Sequence, residues 1–143
     1  MLFSSQCLAA DARFACAVDA PGLKLSIDTA FDAEKGHSLI HFKGVWAIDD
    51  PKLPENLRNM RLDSETLTHS WLDERHLMLH VYRETAGEKP FASLDLVIAT
   101  ERADGAAKFY RGTYRFSQTT ADARKAATRS TAERQGNIVC SKS

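Results

Sequence analysis

Apolar and polar residues alternate with period two along most of this chain, the pattern of strands that bury one face. Phe14, Cys16 and Val18 share a face, and Leu23, Leu25 and Ile27 share the next after a Pro21-Gly22 turn. Ile40, Phe42 and Trp46 alternate with His41, Lys43 and Val45, and Gly44 permits a bulge or close packing. Leu67 and Trp71 follow, then Leu77, Leu79 and Val81. Beyond the turn residues Ala86 to Pro90 come Leu94, Leu96 and Ile98. After Ala103-Asp104-Gly105, Tyr110, Tyr114 and Phe116 form another apolar face, and Ile138 and Cys140 belong to a short last strand.

The spacing predicts about eight strands joined by hairpins, hence an all-β fold, an antiparallel barrel or barrel-like sandwich. Asp50 to Arg61, with Pro51 and Pro54, reads as a loop carrying one turn of helix. Thr119 to Gln135 is rich in Ala, Arg, Lys and Thr and has no large apolar residue. A short surface helix or loop near 120–135 is the expectation there, with Ser130 and Glu133 at capping-box spacing.

A length of 143 residues at 43% hydrophobic suits one domain with its own core. Nineteen basic residues balance nineteen acidic ones, which argues against a nucleic-acid partner and against wholesale disorder. No apolar run is long enough for a transmembrane segment. The domain is expected over 13–143, with 1–12 as a possible signal-peptide remnant or disordered N-terminus. Leu8-Ala9-Ala10 and Ala10-Asp11-Ala12 resemble cleavage sites, although no positively charged n-region precedes them.

Cys7, Cys16 and Cys140 are confined to the two ends of the chain and form no close metal-binding pair. A Cys16–Cys140 disulfide would tie the first strand to the last, and such a bond suits a periplasmic or otherwise secreted protein. Motifs for a nucleophile elbow, a phosphate loop or a zinc protease are missing from the sequence. The chain therefore reads as a non-catalytic binding module for a protein or an apolar small-molecule partner.

Two constellations are candidates for binding. Trp46, Trp71, Tyr110 and Tyr114, with Phe116, would converge near one end of a closed barrel, where aromatics with polar handles suit an apolar ligand. Small barrels are also commonly filled by their own side chains. The second constellation is His76, Met78 and His80, which alternate with Leu77, Leu79 and Val81 and so share one strand face. Imidazole and thioether suit copper or zinc, making a periplasmic metal-binding module the alternative reading. His76 and His80 should stand about 13 Å apart, too far to bind one ion together. His37 and His41 have similar spacing on another strand, and His69 is expected at the edge of the core.

Charge is uneven along the chain. Residues 1–100 hold ten basic and fifteen acidic groups, and the remainder holds nine and four. Arg111, Arg115, Arg124, Lys125, Arg129 and Arg134 could form a patch for an anionic partner, or be neutralised by the acidic first part. The run Asp104 to Tyr110 is loosely similar to a glycine-rich loop of periplasmic lysozyme-inhibitor barrels. It lacks the serine such inhibitors insert into the enzyme, and the likeness covers a handful of residues.

Overall fold

In the computed structural model, which describes residues 11–34, 36–85, 91–104, 108–121 and 129–143, the alternation becomes one antiparallel meander. The described residues form nine strands and one short helix. The strands are β1 (Ala12–Ala20), β2 (Leu23–Phe31), β3 (Leu39–Ile48), β4 (Asn59–Leu62), β5 (Leu67–Leu72), β6 (His76–Glu84), β7 (Ala92–Arg102), β8 (Phe109–Ala121) and β9 (Arg129–Lys142). The helix α1 (Glu55–Arg58) precedes β4, in the segment expected to carry one helical turn. Sheet order is β4-β3-β2-β1-β9-β8-β7-β6-β5, a nearly closed ring in which the first strand pairs with the last.

Eight passes and nine strands describe the same barrel-like ring. Six antiparallel steps separate β3 from β6, so those two strands run in the same direction. β4 is antiparallel to β3 and β5 to β6, so β4 and β5 also run together, as one pass interrupted by the turn at Asp63–Thr66. The first part of this pass bonds to β3 and the second to β6.

Inward positions fill the ring. Phe14, Cys16, Leu25, Ile27, Leu77, Leu79, Leu94, Leu96, Ile98 and Phe116 are all buried, as their parity predicts. Cys16 and Cys140 face each other in the β1–β9 ladder with sulfurs 2.06 Å apart, at disulfide-bonding distance. Pro21–Gly22 makes the two-residue β1–β2 turn, where Gly22 takes φ +83°, open to residues without a Cβ. No helix among the described residues is long and apolar enough to cross a membrane.

Two expectations need correction. The stretch near 120–135 is neither helix nor loop where it is described, because β9 begins at Arg129 and pairs with β8 from Ala121↔Arg129 onward. This half of β9 extends beyond its ladder with β1, which spans only Val139 to Lys142. Its side chains from Thr131 to Gln135 are largely exposed, so hydrogen bonds to β8, not burial, hold it extended. That override of local propensity leaves no mark in hydrophobic spacing. His69, expected at the core edge, instead points outward. The register slips between Leu67↔Val81 and His69↔His80, so Thr68 is an extra residue and every later side chain of β5 changes face. The residues read as a leader remnant, apart from Asp11 and Ala12, lie outside the described residues, as do 122–128 and 105–107.

Candidate functional site

The four aromatic candidates do not converge on one place. Trp46 is buried and packs edge-on against Phe116 at 5.7 Å, and its indole N–H donates to the Leu57 carbonyl at 2.8 Å. That anchors α1 over the end of the ring that carries the Pro21–Gly22 turn. Tyr110 lies toward the opposite end, edge-on to Phe14 at 5.1 Å, with Phe14 in turn against Phe31 at 6.2 Å. Burial pushes the Tyr110 phenol up from its ordinary value. Tyr114 covers Gly136, its cross-strand partner, so closely that a Cβ there would stand 2.9 Å from the ring. These three side chains are part of the packed interior.

Trp71 is outside. The Thr68 bulge turns it outward, where it is 61% exposed and lies across from Met78. Met78, 43% exposed, and Tyr82, 39% exposed, continue the same outward face of β6. Between β5 and β6 runs a groove of about 220 Å³ lined by His69, Trp71, Met78, His80 and Val97. Five of the six β5 residues from Leu67 to Leu72 retain solvent access, as befits a strand paired on one side only.

Asp73 organises the adjoining β5–β6 turn. Its carboxylate accepts the Trp71 indole N–H at 3.0 Å and the backbone N–H groups of Arg75 and His76 at 2.7 Å each. These bonds, the Trp71 donor first, hold the Asp73 carboxyl well below the usual carboxylate range.

The histidine candidates separate as well. His76 puts Nδ1 3.1 Å from Asp73 Oδ1, at the turn. His80, on the same face, touches Oδ1 of Asp95 on β7 through Nε2. Its ring stacks on that of His69, its neighbour across the β5–β6 ladder, with centroids 6.0 Å apart. The sequence grouped His80 with residues of its own strand, whereas its contacts come from the two strands beside it. Asp95 was legible as outward from its place between Leu94 and Leu96, and only the Thr68 bulge concealed His69. Among the described residues, no group of three or more His, Cys, Asp or Glu side chains is placed to hold a metal ion.

Among the described cations of the C-terminal portion, Arg115 and Arg111 stand beside acidic residues. Arg115 lies 3.5 Å from Glu133, Arg111 faces Glu101 in register, and the Arg134 guanidinium caps Gly22. Arg134 also favours the charged form of Asp50. Burial alone would raise the Asp50 pKa, but the Lys52 backbone N–H and the Gln118 amide, at 2.6 Å, outweigh it and leave the pKa lowered.

No family model matches this chain, and no match was found among curated proteins or solved structures.

Proposed function

We propose that this protein is an exported, non-catalytic binding module that holds a protein partner against the outer face of β5, β6 and β7. The observation that carries the reading is the outward cluster of Trp71, Met78 and Tyr82 on a strand pair at the open side of the ring. Exposed Trp, Tyr and Met are residue types that protein interfaces concentrate, and truncating such an anchor commonly costs the most affinity. An apolar small molecule in the interior has less support, because Trp46, Tyr110 and Tyr114 occupy that space. Export is supported by the Cys16–Cys140 pair, since such bonds persist in oxidising compartments.

The test is site-specific photo-crosslinking in the intact source cell. A photoreactive residue replaces Trp71, and in a control chain it replaces the exposed Val139 on β9. An adduct with a second protein from position 71 alone, accompanied by a disulfide-linked chain, supports the proposal. Equal adducts from both positions, none from either, or a chain recovered with free Cys16 and Cys140 thiols would overturn it.

A further inference from the structure

Two imidazoles and a carboxylate are neighbours across the outer faces of β5, β6 and β7. His69 is in register with His80, and cross-strand neighbours hold their Cβ atoms about 4.5–5.5 Å apart. Both imidazoles leave the sheet on the same side, with rings inclined by only 21°. On the other side of His80, its Nε2 already faces a carboxylate oxygen of Asp95. His69 is exposed, and the His80 and Asp95 side chains retain 31% and 43% of their accessibility. Both imidazoles can therefore turn about their side-chain bonds without disturbing the core.

We propose that His69 and His80 chelate a divalent ion of the imidazole-preferring kind, with copper(II) the tightest. Asp95 keeps its contact with His80 Nε2 and orients that ring, which leaves Nδ1 for the ion. Two imidazole nitrogens suit copper, nickel or zinc; magnesium and calcium prefer all-oxygen surroundings. Metal–nitrogen bonds of about 2.0–2.1 Å bring both ring nitrogens to one ion once the stacked rings tilt toward each other. His76 is no part of this site, because it is engaged by Asp73 at the turn. The inference stands independently of partner binding.

Trp71 supplies the readout, since it shares the groove with both histidines while Trp46 is buried. Copper(II) is titrated into the folded, oxidised full chain while tryptophan emission is followed. Quenching should saturate at one equivalent. His69→Ala and His80→Ala should each weaken binding by about tenfold or more, the scale on which even supporting partners of metal ligands matter. His76→Ala should change nothing. A zinc titration by NMR uses the unmodified chain, so it does not depend on any variant folding. Of the five histidines, the ring signals of His69 and His80 should shift and those of His37, His41 and His76 should hold. Unsaturable quenching, full affinity in His69→Ala, equal weakening in His76→Ala, or zinc shifts at other histidines would overturn the proposal.

Discussion

Gly112 shows how one residue can be dictated by the backbone next to it. It sits in β8 between Thr100 of β7 and Ile138 of β9, where a Cβ would run into the Ala99 carbonyl oxygen. The obstacle is backbone, so no rotamer change relieves it. Gly112→Ala should cost about 1–3 kcal/mol, as overpacking commonly does, read as a lower urea midpoint at unchanged slope. An unaltered midpoint would show that the β7–β8 ladder yields more easily than this packing implies. Gly44 is comparable, tight against the Ser26 carbonyl of the paired strand β2. The sequence marked Gly44 as a place of close packing. It gave no such sign at Gly112, although at both glycines the obstructing carbonyl belongs to the neighbouring strand.

At the scale of elements, the β5–β6 hairpin concentrates the exposed chemistry and depends on one carboxylate. Asp73 has a lowered pKa in the folded protein, so its stabilising bonds are present at neutral pH. They are lost only as pH falls below the ordinary carboxylate value of about 4 toward the lower folded one. Trp71 donates directly to Asp73 and reports on that loss. Its emission should stay constant from neutral pH through the ordinary carboxylate range and change only in stronger acid. In Asp73→Ala the emission should already be altered at neutral pH and lose its acid transition. A transition centred on the ordinary carboxylate range would mean that the turn does not hold Asp73 in this state.

The same hairpin shows where pattern reading stops. Outward positions of β6 followed from strict alternation with Leu77, Leu79 and Val81. Trp71 and His69 did not follow, because the one-residue bulge at Thr68 reverses parity for the rest of β5. Ile40 behaves alike. It shares parity with Phe42 but falls where β3 skips a partner of β2, and it is 52% exposed. Bulges are set by pairing with another strand, and nothing in the local spacing announces them.

For the whole molecule, the Cys16–Cys140 link joins residues 124 apart in sequence and fixes the contact between the first and last strands. By loop-entropy arithmetic, closing a loop of that length contributes roughly 4–5 kcal/mol, less any strain. Reduction, or the double substitution Cys16→Ser with Cys140→Ser, should therefore lower the urea midpoint markedly. An unchanged midpoint would mean that the β1–β9 ladder and its packing hold the ring without help from the bond.

The sequence by itself determined the all-β class, the meander order, the inward residues of most strands and the identity of the paired cysteines. Those follow from period-two burial and from cysteines confined to the two ends, both local or near-local properties. Only the tertiary structure decided that β4 and β5 form one interrupted pass, that β9 runs extended through an Ala- and Arg-rich stretch, and that Trp71 faces outward. It also decided that His80 meets His69 and Asp95 and not His76. Each of those outcomes depends on which strand lies alongside and in which register, and register is a relation between segments that neither segment encodes alone.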